Sequence, residues 1–232
     1  MNPIFCAFDT PDTTAARGLA ASLSGDIGGI KLGLEFFMAE GPEGVREVAA
    51  AGELPIFLDV KLHDIPNTVA GAVRSILPLA PSLVTIHTSG GSAMMEAAAK
   101  AAQEAGAARP KLIGVTVLTS LDDADLKAVG ITRPSTEQVV ALATLAKNCG
   151  LDGAVCSPLE VAALRAVCGP DFTLVVPGIR PAGGDAGDQK RVMTPREALD
   201  AGADILVIGR PITKASDPAA AAAAINQEIG AR

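Results

Sequence analysis

The sequence predicts a single-domain (β/α)8 TIM barrel, and three observations support this fold. Its 232 residues suit one barrel, since α/β barrels commonly reach this length as single domains. Eight short apolar runs recur about 29 residues apart, and an alanine-rich amphipathic stretch follows each run, as in βα units. The runs are apolar almost throughout, which is typical of parallel strands buried on both faces. We therefore expect one barrel domain across residues 1–232.

The eight runs are predicted to be the barrel strands, in chain order. Strands that alternate with helices form parallel sheets, and eight such units can close into a barrel. Each run ends on a polar residue or glycine, or just before one. The runs are Pro3–Asp9, Ile27–Gly33, Pro55–Lys61, Leu83–Thr88, Lys111–Leu118, Asp152–Ser157, Phe172–Gly178 and Asp204–Gly209.

The connections after the runs contain helix-start signals and two long segments. Asp9–Asp12 and Pro66–Thr68 can each open a helix, and Asp217–Pro218 precedes an alanine run with high helix propensity. The connections from Thr119 to about Ser135 and from Arg180 to about Thr194 are long. Long loops in compact domains are often lids or binding loops.

A doubly wound open sheet is the competing fold. It would usually carry a glycine-rich dinucleotide turn after its first strand. The first run instead ends in Phe8-Asp9-Thr10-Pro11, without a GxGxxG pattern. The barrel is therefore favoured.

Composition and charge exclude several classes of protein. Hydrophobic residues make up 49% and charged residues 19%, which provides for a large core and excludes global disorder. The net charge of −7 argues against a broad basic face for nucleic acid. Mean hydropathy is +0.35, yet no run approaches the ~18 apolar residues of a membrane span. Without a secretory signal or a CxxC pair, the four cysteines predict reduced thiols in a cytoplasmic protein.

Charged residues mark the predicted strand ends, where barrels place their active sites. The densest cluster is the segment 57–68, FLDVKLHDIPNT. Strand side chains alternate, so Asp59 and Lys61 are expected to share the face that points into the barrel mouth. Leu58, Val60 and Leu62 would face the helices. A salt-bridged pair that only caps the barrel is the structural alternative, although apolar residues could replace such a pair without loss of stability.

Lys31, inside the second run, extends this cluster. With Asp59, Lys61 and Asp64 it would complete an alternating array of two ammonium groups and two carboxylates, in which each charge favours the ionised form of its neighbours. A lysine that only reaches solvent from a strand end is the alternative. Asp59 and Asp64 could hold Mg²⁺, but the two lysines would compete for the same carboxylates.

A phosphate site is predicted after the seventh and eighth runs, where barrels often bind phosphate. Arg180 and Arg210 could donate charge-assisted hydrogen bonds to phosphate oxygens, and Gly209 would allow close approach of backbone N–H groups. Surface arginines on the barrel rim are the alternative.

The other polar residues at strand ends have two possible roles each. Asp9 could accept hydrogen bonds from sugar hydroxyls or could begin the first helix. His87 fits a structural core histidine better than a base, and His63 fits a loop residue. The histidines and the four cysteines have no metal-ligand spacing, so the cysteines are expected to be structural.

Taken together, these residues resemble the orotidine 5′-phosphate decarboxylase family in its bacterial short form. The matching motifs extend over essentially the whole predicted barrel, without a departure at any motif position. DxKxxD alone is less specific, because a wider group of barrels with other chemistries shares it. The motifs are FLDVKLHDIPNT (57–68), IKLGLEFF (30–37), TIHTSGG (85–91), VTVLTS (115–120), VPGIRP (176–181), GDQKRVMTP (187–195) and VIGRPIT (207–213).

The resemblance implies a carbon–carbon lyase that converts orotidine 5′-monophosphate to UMP and CO2, the last step of de novo UMP synthesis. It implies a homodimer with shared active sites, no metal and no organic cofactor. Asp59, Lys61 and Lys31 would surround the reacting carbon, and Asp64 would join them from the partner subunit. Lys61 would protonate C6 after CO2 leaves.

The resemblance also implies a set of substrate-binding residues. Asp9 and Lys31 would bind ribose hydroxyls, as would Thr68 from across the interface, and Asp59 would contact the substrate. The remaining residues are Thr119 and Ser120 near the pyrimidine or the closing loop, and Arg180, Gln189, Gly209 and Arg210 on the 5′-phosphate.

The implied chemistry fits this set of charges. Decarboxylation normally needs an electron sink, and the ring carbonyls of orotate cannot directly delocalise electrons left at C6. Fixed charges in a dry pocket would have to stabilise the carbanion instead. Phosphate binding could close the loop at Ala182–Asp188 and raise kcat as well as affinity.

Two other functions remain open at the level of the sequence. One is a related DxKxxD barrel, a Mg²⁺-dependent decarboxylase or aldolase that acts on a sugar phosphate. The other is a non-catalytic sensor of a phosphorylated ligand. Lys31 and turnover without metal would argue against the first, and turnover itself would argue against the second.

Overall fold

The protein is a closed barrel of eight parallel strands in which each strand pairs with its neighbours in chain order and β8 pairs with β1. The computed structural model describes residues 2–181 and 193–230. The strands are Ile4–Phe8 (β1), Gly29–Gly33 (β2), Ile56–Leu62 (β3), Leu83–His87 (β4), Lys111–Val115 (β5), Gly153–Val155 (β6), Thr173–Val176 (β7) and Ile205–Ile208 (β8). All eight predicted strands are confirmed, and closure of the sheet excludes the open-sheet alternative.

Helices cover the outside of the barrel. They are Thr13–Leu23 (α1), Leu34–Gly52 (α2), Pro66–Ile76 (α3), Ser92–Gln103 (α4), Asp123–Ala128 (α5), Ser135–Asn148 (α6), Val161–Cys168 (α7), Pro195–Asp200 (α8), Arg210–Thr213 (α9) and Pro218–Ile229 (α10). In the described ranges, no helix is both long and apolar enough to cross a membrane.

Alternation along the strands divides the buried side chains into two cores. In β1, Phe5 and Ala7 point into the barrel, whereas Ile4, Cys6 and Phe8 pack against the helices. The inner core is small and includes Phe57, whose ring meets Phe5 edge to face at 6.5 Å between centroids. The outer core is much larger. The inner core packs the barrel interior below the mouth, which is where barrels place their ligand sites.

Side-chain caps fix several of the helix starts. Asp12 accepts hydrogen bonds from the backbone N–H groups of Thr14 and Ala15, so it is Asp12 rather than Asp9 that caps α1. Asp217 caps α10 in the predicted place. Capping of this kind leaves Asp9 available for the barrel mouth.

The structure describes the first long connection in full and only the two ends of the second. The first contains the short helix α5, which the sequence analysis did not predict and which begins with a capping box at Asp122. In the second, the backbone N–H of Arg180 donates to the carbonyl of Met193 at 3.0 Å, which joins the two described ends of the connection. The predicted closing loop at 182–188 and Gln189 lie outside the described residues.

A network centred on one arginine connects the last strands at the end of the barrel away from the mouth. The guanidinium of Arg165 donates to the carboxylate of Asp204, which also accepts from the backbone N–H of Leu174 on β7. The guanidinium of Arg165 also donates to the carbonyl oxygens of Gly169, Pro170, Phe172 and Gly202.

We expect Arg165→Ala to lower the free energy of unfolding by about 2–3 kcal/mol, because several partly buried acceptors would lose their charged donor together. Chemical denaturation followed by circular dichroism would measure this. Arg46→Ala is the matched control, since Arg46 makes a single exposed ion pair with Glu43, worth about 0.5 kcal/mol or less. Equal losses for the two variants would contradict a structural role for the network.

Candidate active site

The barrel mouth contains a cavity of about 380 Å³. Apolar side chains line its floor and one wall, among them Phe57, Val155 and Val207, while charged side chains occupy the rest. A cavity with these two kinds of lining suits a ligand with a flat, weakly polar part and an anionic part. The charged and polar lining residues are Asp9, Lys31, Asp59, Lys61, Thr119, Arg180 and Arg210.

Lysine and aspartate side chains alternate across one side of the cavity. Nζ of Lys61 lies 2.8 Å from Oδ2 of Asp59, and Nζ of Lys31 lies 3.5 Å from the same oxygen. Lys31 also reaches Oδ1 of Asp9, at 3.4 Å. The predicted array therefore forms within one chain from Lys31, Asp59 and Lys61, with Asp9 at its outer end.

Asp59 is the central and most buried member of this array. Burial by itself would raise the pKa of its carboxyl group. The charges of Lys31 and Lys61 and hydrogen bonds from Lys61 and Thr85 lower the pKa by more than burial raises it, so the pKa of Asp59 lies below its ordinary value. Asp59 is therefore ionised at neutral pH. A fixed negative charge beside two ammonium groups keeps both lysines oriented toward the cavity.

Strand β3 has an irregular register where it carries this chemistry. Leu58 pairs with Val84 and Leu62 pairs with Ile86, so Asp59, Val60 and Lys61 stand opposite Thr85 alone. The bulge leaves the predicted faces intact, since Asp59 and Lys61 line the cavity while Leu58 and Val60 join the outer core. Bulges of this kind occur next to active sites, where they redirect a side chain.

Lys61 also has an unusual backbone conformation, with φ at +49°. Among the described residues, the other non-glycine residues with positive φ are Glu53 and Ala80, and both are helix C-caps, where this conformation is common. In a strand it costs on the order of 1 kcal/mol or more, and such strain tends to collect at functional sites. The backbone of Lys61 is thus held in place by its surroundings.

The segments after β7 and β8 contribute the predicted phosphate residues to the same cavity. Arg180 follows β7 and Arg210 follows β8, and both line the same cavity. Gly178, with φ at +76°, has a conformation that favours glycine. A Cβ atom on Gly209 would lie 3.3 Å from Cβ of Ala7, so glycine keeps this corner open.

Three predicted residues lie away from the cavity of their own chain. Asp64 is exposed, and its Oδ1 accepts from the backbone N–H of Ile65 at 2.6 Å. Thr68 is exposed in the first turn of α3. Ser120 is exposed beside Thr119, which does line the cavity.

The two histidines stack on each other rather than facing the cavity. Their ring centroids are 5.2 Å apart, and His87 is half-buried. Burial lowers the pKa of His87, and the nearby His63 and Lys61 lower it further. A neutral, stacked imidazole agrees with the predicted packing role.

Among the described residues, neither the cysteines nor possible metal ligands form a second site. All four cysteines are free and buried, and burial raises the pKa of Cys6 to about 12, so its thiol stays protonated. Across the described part of the chain, His, Cys, Asp and Glu side chains do not gather in groups of three that could hold a metal ion.

Sequence reasoning missed Thr85 as part of the site. Its hydroxyl lies 2.9 Å from the backbone nitrogen of Lys61 and 3.0 Å from Oδ1 of Asp59. The sequence feature that could have indicated Thr85 is a hydroxyl residue at a position of β4 that faces the barrel interior, two residues before His87. That pattern identifies a buried polar group but not its partners.

A closed (β/α)8 barrel with a charged cavity at the C-terminal ends of its strands has the architecture of the barrel enzymes. Comparison with known proteins narrows this class. The model of the "Orotidine 5′-phosphate decarboxylase / HUMPS family" matches residues 2–225, and the chain belongs to this family.

Individual relatives agree with the family match. The orotidine 5′-phosphate decarboxylase of Paramagnetospirillum magneticum is 55% identical over 99% of both chains. The protein of that name from Rhodospirillum rubrum is 57% identical over 98% of this chain and 94% of its own. Among solved structures, the Lactobacillus acidophilus orotidine 5′-phosphate decarboxylase is 37% identical and superposes with a TM-score of 0.85 over 99% of both chains. The resemblance inferred from the motifs is confirmed at the level of the family.

Proposed function

We propose that this chain is an orotidine 5′-phosphate decarboxylase, a carboxy-lyase that forms UMP and CO2 in the last step of de novo UMP synthesis. The observation that carries the proposal is the array of Lys31, Asp59 and Lys61 beside two arginines in one cavity. It lies on a chain 55–57% identical to enzymes of this name. The barrel is proposed to form one domain over residues 1–232.

Lys61 is proposed to supply the proton. Its ammonium group points into the cavity and is held by Asp59 at 2.8 Å, so it can face a carbanion that develops at C6 of the pyrimidine. A fixed positive charge stabilises that carbanion in a cavity shielded from water, and the same group can then protonate the carbon. The apolar lining around Phe57 and Val155 limits competition from water.

The neighbouring residues are proposed to position the substrate. Asp59 would lie near the departing carboxylate and keep the two lysines in place, while Asp9 and Lys31 bind ribose hydroxyls. Thr119 would contact the pyrimidine side of the cavity, with Ser120 close by. Arg180, Gln189, Gly209 and Arg210 would bind the 5′-phosphate. Phosphate binding far from the reacting carbon can contribute to the rate by fixing the substrate.

We also propose a homodimer whose two sites share residues. Asp64 and Thr68 are exposed beside the mouth, and large apolar side chains lie exposed on the neighbouring segments. Ile65 is 66% exposed, and Met38 on α2 is 74% exposed. Exposed apolar side chains bordered by polar ones are typical of a protein–protein interface. Asp64 and Thr68 would complete the site of the partner subunit.

The cytoplasm is the proposed location of the enzyme. Four free, buried thiols fit a reducing compartment, as the cysteine pattern predicted.

Turnover of orotidine 5′-monophosphate by the purified protein, treated with EDTA, tests the proposal. We expect stoichiometric UMP and CO2 without added metal. Activity only on sugar phosphates with Mg²⁺ would instead support the related DxKxxD enzymes and make Asp59 and Asp64 metal ligands. Binding of the nucleotide without any turnover would support a sensor.

Arg210→Ala is expected to weaken binding of UMP by about 10- to 100-fold, because a charge-assisted contact to the phosphate would be lost. Binding of uridine, which lacks the phosphate, should change less than about 2-fold. Isothermal titration calorimetry would measure both affinities. Arg196→Ala, at an exposed ion pair on α8, is the control. Equal losses for UMP and uridine would remove the phosphate role of Arg210.

A further inference from the structure

Thr85 is a buried polar residue at the centre of the site. It lies on β4 between Val84 and Ile86, which belong to the outer core, so its own side chain points into the barrel. It is fully buried, which makes each of its hydrogen bonds costly to lose. A buried hydroxyl in this position calls for a physical account of its partners.

The hydroxyl of Thr85 connects the two ends of the bulge in β3. It accepts a hydrogen bond from the backbone N–H of Lys61 at 2.9 Å. It donates to Oδ1 of Asp59 at 3.0 Å, because an ionised carboxylate can only accept. One oxygen atom thus acts as acceptor and donor, and it is the group on β4 that stands opposite residues 59–61.

This arrangement divides the two carboxylate oxygens of Asp59 between different tasks. Oδ1 is held by Thr85, and Oδ2 is held by Lys61 and Lys31. Without the bond to Oδ1, the carboxylate could rotate about its terminal bond and Nζ of Lys61 would follow it. The bond from the backbone N–H of Lys61 to the same hydroxyl helps to hold Lys61 in its left-handed conformation.

We propose that Thr85 is a positioning residue for the proton donor, and that its hydroxyl sets the direction of Lys61 through both the backbone of Lys61 and the carboxylate of Asp59. The inference rests on the proposed decarboxylase function. Thr85 is not among the residues that line the cavity, whereas Asp59 and Lys61 are, so its effect would pass through these two charged residues.

The test compares kcat of Thr85→Val, Thr85→Ser and the wild type on orotidine 5′-monophosphate. Valine has nearly the same shape but neither accepts nor donates, so we expect kcat to fall by about 10- to 100-fold, as for a misplacement of about 1 Å. Serine keeps the hydroxyl and should stay within about 5-fold of the wild type. The dissociation constant of UMP should change less than about 3-fold, since the phosphate residues lie elsewhere.

Thr88→Val provides the matched control. Thr88 is also fully buried and follows three residues later, but its hydroxyl donates to the backbone carbonyl of Val115 on β5 instead of to a charged residue. We expect its kcat within about 3-fold of the wild type. Thermal unfolding would confirm that each variant is folded, and Thr85→Ala, which adds no new contact, replaces the valine variant if that one does not fold.

The outcomes separate the inference from the function on which it rests. If the wild-type protein does not convert orotidine 5′-monophosphate at all, the proposed decarboxylase function itself is contradicted. With an active wild type, a Thr85→Val enzyme as fast as Thr88→Val would overturn the positioning role. A serine variant as slow as the valine variant would show that the hydroxyl does not suffice and that shape at this position sets the rate, which would also overturn it.

Discussion

Replacing Lys61 with alanine is expected to lower kcat on orotidine 5′-monophosphate by at least about 10⁴-fold. The variant lacks the ammonium group that would stabilise the developing carbanion and then protonate it. Electrostatic stabilisation and proton transfer, which both lower the barrier, are therefore lost together. Lys31 cannot substitute, since its ammonium group lies between Asp9 and Asp59 at 3.4 and 3.5 Å. Single-turnover measurement of UMP formation at high enzyme concentration would quantify the residual rate.

Nucleotide binding by the Lys61→Ala enzyme should largely survive. Arg180 and Arg210 remain, and Asp59 retains Lys31 as a partner, so its carboxylate is not left unpaired. We expect the UMP dissociation constant to stay within about 10-fold of the wild type. Lys100→Ala, on the exposed face of α4, is the control for removal of a lysine. A residual rate within 100-fold of the wild type would show that another group supplies the proton.

Mixing two inactive variants, Lys61→Ala and Asp64→Ala, is expected to restore about a quarter of the wild-type activity. In a symmetric dimer the two sites are equivalent, and random exchange makes half of the dimers mixed. Each mixed dimer would contain one intact site, with Lys61 from one protomer and Asp64 from the other, and one doubly altered site. Activity followed over time after mixing, with exchange measured independently by mass spectrometry, would test this.

The control mixture combines Lys61→Ala with Asp59→Asn. These two residues contact each other at 2.8 Å within one chain, so neither site of a mixed dimer would be intact and no recovery is expected. Recovery in both mixtures would indicate reversion or contamination. No recovery with Asp64→Ala, despite proven exchange, would place Asp64 in the site of its own chain and argue against shared sites.

The fold could be predicted from the sequence because its signals are local and repeat eight times. Buried parallel strands are apolar along their whole length, so a charge within one stands out. Lys31 and Asp59 were recognised in this way, and alternation correctly placed Asp59 and Lys61 on the same face of β3. The short helix α5 was missed because its six residues contain only one buried side chain, Leu126. A single apolar position cannot show the helical repeat of apolar residues by which the other helices were recognised.

The details that orient the site could not be predicted from the sequence. The left-handed backbone of Lys61 and its contact with Thr85 depend on a register shift between two strands, and the contacting residues are 24 positions apart. Alternation predicts which face a side chain occupies, but it does not predict φ. The helix-start role considered for Asp9 was excluded only by geometry, since Asp12 rather than Asp9 caps the helix.

The burial of all four cysteines makes the protein well suited to site-specific labelling. Thiol reagents attack the thiolate, and the thiol of Cys6 stays protonated because its pKa is raised to about 12. A single cysteine introduced at an exposed helix position, such as Val167 on α7, would therefore react much faster than the native thiols. A fluorophore could then be attached there without first removing any native cysteine. Because the chain has no tryptophan and no tyrosine, its own fluorescence would contribute almost no background to that signal.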